Sequence, residues 1–369
     1  MTGKPLYLGD GKQRPEAVRD LPDIDPDALR RPEGYRAGPD LQAAVGTALT
    51  LGMPLLLTGE PGSGKSRLAY SIAHEFMLPL TEFVVKSDTQ ARDLLYRFDT
   101  VGRFHASQTE GRAADPRRFI CFEALGRALL HAKSADYARD MLRLPDAAVG
   151  HPGHPTRTVV LIDEIDKAPR DVPNDLLVEI ERLRFPIPEL ASDRDPLPTV
   201  ELTLAERAYR PIVVITSNSE KALPEPFLRR CVYHHLELPP FDRDLDDAGR
   251  AGQVTIEDIV KSRLGSRFAG GGDRLFDDLL DFYRFLRRDT QGLGHQPSLA
   301  ELLNWLDALV PDAPGHGVAR GGVAALDQAE LLAKTRGLLF KNQPDQAQAQ
   351  ALLDRWREAR APRPGAQGR

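Results

Sequence analysis

The sequence predicts an α/β fold: a parallel sheet covered by helices on both faces, followed by a helical part without strands. Two observations predict this. Five short runs, Leu55 to Thr58, Phe83 to Val85, Val159 to Ile162, Ile212 to Ile215 and Val232 to Leu238, are mostly apolar in succession. Strands buried on both faces read this way, whereas a strand with one wet face alternates. Beyond about Pro240 the strand signals fade and apolar residues recur every three or four positions, the period of a helix.

The elements follow in order. Residues 1–38 are rich in Pro, Asp and Arg without apolar period, so they read as a loosely ordered arm. Asp40 caps a helix carrying Leu41, Val45, Ala48 and Leu49, and Gly52 ends it. Residues 39–240 form the α/β domain, with its first strand bounded by Pro54 and Gly59. Residues 87–157 are too long for one crossover. They hold a helix from Phe119 to His131 and, from Phe98 to Phe104, a small hairpin. A helix covers Leu176 to Leu183, and Phe185 to Pro188 pairs with Thr199 to Leu204 as a second hairpin. Residues 241–361 are the helical domain. In it Ser298 and Glu301 form a capping box before Leu302, Leu303, Leu306 and Leu309. Pro311 to Gly322 is a loop, Ala324 to Arg360 is helical, and 362–369 is a disordered tail.

Composition narrows the function classes. At 369 residues, with 41% hydrophobic and 28% charged side chains, the chain is an ordinary globular one of about two domains. The 49 Lys and Arg against 54 Asp and Glu leave −5, so no global cationic field holds nucleic acid or an anionic membrane. Cys121 and Cys231 follow neither a metal-ligand nor a disulfide spacing and read as packing residues. The first twenty residues lack the apolar core of a secretory signal, which makes the cytoplasm the expected compartment. The longest uncharged stretch, Leu41 to Gly59, is broken by Gln42, Gly46, Gly52 and Pro54, so no membrane span is expected.

The chemistry is carried by a few short runs. Gly59-Glu60-Pro61-Gly62-Ser63-Gly64-Lys65-Ser66 fits G-x-x-x-x-G-K-S between a strand and a helix whose apolar face is Leu68, Ile72 and Phe76. Inward-pointing N–H groups of such a loop cradle phosphates, as in a P-loop NTPase core. Lys65 would meet the β and γ phosphates of a bound nucleotide, and Ser66 would bind Mg²⁺. A second run, Thr158 to Glu164, sets Asp163 and Glu164 at the C-terminal edge of a buried strand, where ligands of open α/β sheets gather. Asp163 suits the metal, and Glu164 can polarise an attacking water. The next strand ends at Asn218, whose carboxamide can bond that water or the γ phosphate, although Asn is equally common in turns. Arg229 and Arg230 end a short helix from Leu223. There they can complete a neighbouring subunit's site, or simply complement the helix end or pair with a surface acid.

Taken in this order, the loop, Leu-Ile-Asp-Glu-Ile-Asp-Lys-Ala-Pro, Ile-Thr-Ser-Asn and Leu-Pro-Glu-Pro-Phe-Leu-Arg-Arg resemble an AAA+ ATPase of the MoxR type. The resemblance covers about residues 40–310, and its most specific part is Asp163 to Pro169. It implies a five-stranded sheet in the order 5-1-4-3-2, a helical lid, ATP hydrolysis and a homo-oligomeric, usually hexameric, ring. It also implies a Walker B pair at Asp163 and Glu164, a first sensor at Asn218, and an arginine finger at Arg230 or else Arg229. The segments near Phe98 to Phe104 and Phe185 to Leu204 would be inserts facing the ring axis. Such relatives remodel protein clients, often with a von Willebrand factor A domain partner. At the second sensor this chain reads Gly294 to Glu301 without a lysine or arginine. That departure implies weaker coupling of the lid to nucleotide, or a cation from Arg287 or Arg288. The competing classes are a nucleic-acid-associated motor or defence-system NTPase subunit, and a nucleotide-controlled scaffold. Against the motor stand the acidic balance and the lack of a helix-turn-helix or zinc module.

Overall fold

The structure, a computed structural model, describes residues 31–110, 115–142, 150–191, 197–219, 221–250, 252–265, 274–288, 293–309 and 328–360. Most of the expected arm, the loop from Pro311 to Gly322 and the tail 362–369 lie outside them. Two compact units result. A sheet unit runs Tyr35–Val254, and a helical unit takes the chain from Thr255 onward together with Pro32–Gly34.

Helix α1 (Pro39–Leu51) opens the sheet unit. Gly38, not Asp40, stands at its N-cap, because Pro39 already holds the φ of a first helical residue and Asp40 falls inside the first turn. Gly52 ends it at φ 63°, as the sequence suggests. Then come β1 (Leu55–Gly59), α2 (Lys65–Glu75) and β2 (Leu80–Val84). An excursion follows: β3 (Tyr96–Phe98), α3 (Thr100–Glu110), β4 (Ile120–Phe122), α4 (Ala124–His131) and α5 (Ala135–Leu142). The chain returns through β5 (Val159–Asp163), α6 (Val172–Arg182), β6 (Arg184–Pro186), β7 (Thr199–Glu201) and β8 (Ile212–Ser217). The unit closes with α7 (Glu225–Leu228), β9 (Val232–Leu236) and α8 (Asp247–Arg250), so it extends past the expected boundary at Pro240.

Five strands form one parallel sheet in the order β2-β5-β8-β1-β9. Counting only β1, β2, β5, β8 and β9 as first to fifth, this is 5-1-4-3-2, the order the resemblance implies. Its continuous apolar runs serve two cores. Leu56, Val160, Ile162, Val213 and Ile215 pack with Leu125 and Leu129 of α4 and Leu176 and Ile180 of α6. On the opposite face Leu55, Leu57, Val159, Leu161 and Val214 pack with Leu41 of α1 and Leu68 and Ile72 of α2.

Two expectations on the excursion are corrected. Phe98 to Phe104 is no hairpin: β3 pairs antiparallel with β4, and α3 lies between them. Asp99 starts that helix by accepting the Gly102 N–H at 2.8 Å. The helix expected from Phe119 begins only at Ala124, because Ile120 and Phe122 are taken by the pairing with Phe98 and Tyr96. The second hairpin does form, with Phe185 opposite Val200. Tyr96 stacks on Phe185 with 5.9 Å between ring centroids, Phe122 lies 6.3 Å from both, and the Tyr96 hydroxyl donates to Glu189 at 2.8 Å. The β3–β4 strand pair and the β6–β7 hairpin thus share an aromatic joint.

The helical unit holds α9 (Ile256–Leu264), α10 (Arg274–Arg288), α11 (Leu299–Leu309), α12 (Gln328–Leu339) and α13 (Gln343–Arg360). The Ser298–Glu301 box is present, with the Ser298 N–H donating to Glu301 at 2.6 Å and the Glu301 N–H donating back at 3.3 Å. The buried side of α11 is Leu299, Leu302, Trp305 and Leu306, so Trp305 takes the core place expected of Leu303. The part expected as helical from Ala324 breaks after Leu339, and the Asn342 side chain accepts the Asp345 N–H at 2.8 Å to start α13. Among the described residues no helix is long and apolar enough to cross a membrane.

Candidate functional site

The site grows from the turn between β1 and α2. Gly59 has φ 144°, and a Cβ there would stand 2.4 Å from the Leu236 carbonyl oxygen on β9. Only glycine passes this close. Gly64 turns the chain into α2 in the left-handed region, at φ 96°. Lys65, 5% exposed, folds back to donate to Gly59 O at 2.8 Å and Glu60 O at 2.9 Å. Burial pushes its ammonium below the ordinary lysine value, while Asp163, Asp166, Glu164 and Glu60 pull the other way. The Ser63 hydroxyl is buried in the same turn and finds no hydrogen-bond partner among the described residues.

Separated from β1 by β8, β5 ends at Asp163. Its Oδ1 accepts the Ser66 hydroxyl at 2.8 Å, joining residues 97 positions apart, and also accepts the hydroxyl of Thr216 on β8. Glu164 follows in a left-handed conformation, φ 61° and ψ 47°, which costs a residue with a Cβ about 1–2 kcal/mol. Two bonds hold it there: its N–H donates to Thr216 Oγ1 at 3.0 Å, and its carboxylate takes Lys167 Nζ at 2.6 Å. One turn further the buried Asp166 accepts the Asn218 N–H at 3.2 Å, which leaves the half-exposed Asn218 carboxamide beside the end of β8.

The structure therefore brings Lys65, Ser66, Asp163, Glu164 and Asn218 to one edge of the sheet, around the strand ends of β1, β5 and β8. It does not bring the arginines there by any hydrogen bond or ion pair described. Arg230 pairs with Glu181 of α6 at 3.4 Å and Arg229 with Glu225 of α7, all four well exposed. Sequence reasoning passed over Thr216, Asp166 and Lys167. The first lies within the Ile-Thr-Ser-Asn run and the other two within the run after Glu164; the pairing of β5 with β8 reveals what Thr216 and Asp166 hold, and the turn after β5 what Lys167 holds.

The residues fit a magnesium-bound triphosphate. The turn offers backbone N–H groups, a desolvated ammonium and an orphaned hydroxyl, the donors that phosphate oxygens accept. Ser66 and Asp163 present hard oxygens within 2.8 Å of each other, the donor type magnesium prefers.

Residues 54–231 match the family model of the AAA domain, dynein-related subfamily. No curated protein matches the chain. Among solved structures, the Thermotoga maritima RuvB Holliday junction branch migration motor is 14% identical, with 86% of this chain and 75% of that chain covered at a TM-score of 0.38. A variant of the same Thermotoga maritima RuvB is also 14% identical, with 83% and 69% covered at a TM-score of 0.37.

Proposed function

We propose, from the AAA domain that residues 54–231 match, that this chain is a magnesium-dependent ATPase. The observation that carries the reading is the 2.8 Å bond from Ser66 to Asp163, which sets the first residues of α2 against the acid of a separate strand. Residues 59 to 66 hold the phosphates through backbone N–H groups and the N-terminal end of α2. Lys65 leaves the carbonyls of Gly59 and Glu60 for the β and γ phosphate oxygens. Ser66 and Asp163 would hold magnesium, which when bound neutralises charge on the phosphates. Glu164 takes the proton of the attacking water, and the Asn218 carboxamide orients that water or bonds the γ phosphate. Arg230, with Arg229 the alternative, reaches a neighbouring subunit's phosphates.

The finer reading is an enzyme of the MoxR type, assembled as a ring, that remodels a protein client together with a von Willebrand factor A domain partner. The run Asp163 to Pro169 and the β3–β4 pair joined to the β6–β7 hairpin support it. Phosphate release and binding of a fluorescent ATP analogue test the enzymatic core. Glu164→Gln should bind the analogue as the wild type does and lose turnover about a hundredfold or more, the scale of a lost general base. Lys65→Ala should lose binding. Wild-type release no faster than that of Lys65→Ala defeats the proposal.

A further inference from the structure

Thr216 does more than fill the sheet. Ile162 pairs with Ile215 and Leu57 with Thr216 in register, so Thr216 sits in a central strand with Asp163 as its next cross-strand neighbour. Val214, Leu161 and Val159 show which way these alternate side chains point: toward the core that α2 covers. There Thr216, 1% exposed, has one hydroxyl for two clients. A hydroxyl owns one proton and two lone pairs, so it can donate once and still accept. The proton goes to Asp163 Oδ1, and a lone pair takes the Glu164 N–H at 3.0 Å. A second tie runs in the reverse sense, from the Asn218 N–H on the β8 side to Asp166 at 3.2 Å.

We propose that Thr216 is a positioning residue for hydrolysis at this site. Its hydroxyl keeps the Asp163 carboxylate in place beside Ser66 and fixes the left-handed turn that aims Glu164. With the Asp166–Asn218 tie, it makes residues 163–167 and 216–218 one unit, so that a pull on Asn218 is felt at Glu164. The inference rests on the ATPase reading above. Valine keeps the shape of threonine without the hydroxyl, and it strips one partner from the part-buried Glu164 N–H and from the Asp163 carboxylate. Serine keeps the hydroxyl.

Phosphate release across ATP and magnesium concentrations separates the possibilities. Thr216→Val should lower kcat about tenfold or more, leave KM for ATP within about twofold, and raise the magnesium needed for half-maximal rate severalfold. Thr216→Ser should restore all three values to within about threefold of wild type. A purely structural threonine would change the melting temperature and leave kcat per folded molecule and the magnesium requirement alone. Either that result, or Thr216→Ser as impaired as Thr216→Val, overturns the inference. If valine reduces the folded fraction, Thr216→Ala is read by analogue binding against magnesium: a raised half-point supports the role, an unchanged one refutes it. Wild-type release at the Lys65→Ala level would instead remove the ATPase reading, and the part assigned to Thr216 with it.

Discussion

Gly59 shows how one missing side chain sets the site. Its backbone lies against Leu236, and alanine would need to place a methyl 2.4 Å from that carbonyl oxygen in a φ region L-residues avoid. Gly59→Ala should therefore lower the melting temperature and weaken ATP-analogue binding at least about tenfold, strain of about 1–3 kcal/mol being enough for both. A variant with wild-type melting and binding would show that the turn accommodates the methyl. At this scale the sequence was most informative where function sits on covalent neighbours. Gly59 to Ser66 and Asp163-Glu164 are contiguous, so their chemistry was legible before any fold. Thr216 and Asp166 act across strands, and no spacing along the chain reports that Ile162 lies beside Ile215.

Among the elements, the connection from β7 to β8 offers a sharp electrostatic test. Glu206 there pairs with Lys133 of the α4–α5 turn at 2.7 Å, and Lys133 is only 5% exposed. Burial pushes the Glu206 carboxyl up, yet the bonds from Lys133 and from the Thr203 N–H and hydroxyl outweigh it and hold the pKa below the ordinary 4.5. A folded-state pKa below the unfolded one means the folded state releases its proton first on the way up in pH. The pairing therefore adds stability above about pH 4.5, and that stability is lost as pH falls through the folded value. Glu206→Gln should melt a few degrees lower than wild type at neutral pH, with the gap closing under acid. Parallel melting curves at every pH would show that the pair does not act this way. The strands were legible as elements because burial on both faces leaves continuous apolar runs. The helix of the first excursion was not. Phe98 and Phe104 look like one strand-forming stretch, and only the Asp99 cap and the distant partner Ile120 of Phe98 decide otherwise.

For the whole molecule, the position of the arginines sets the argument. In a single chain Arg230 and Arg229 pair with Glu181 and Glu225 on the surface, and the finger role proposed for them would be played toward a neighbouring copy. Arg230→Ala and Lys65→Ala should each be inactive alone, and mixing them should recover hydrolysis, because some interfaces then pair an intact turn with an intact arginine. Mixed assemblies that form and stay silent would rule out this role. The order of the five strands was legible through the resemblance, while the joining of the β3–β4 pair to the β6–β7 hairpin was not, since it depends on Tyr96 meeting Phe185 across 89 residues of chain. Tyr96, Phe122 and Phe185 act as a rivet between the β3–β4 pair and the β6–β7 hairpin, so that a load placed on either strand pair is carried by both.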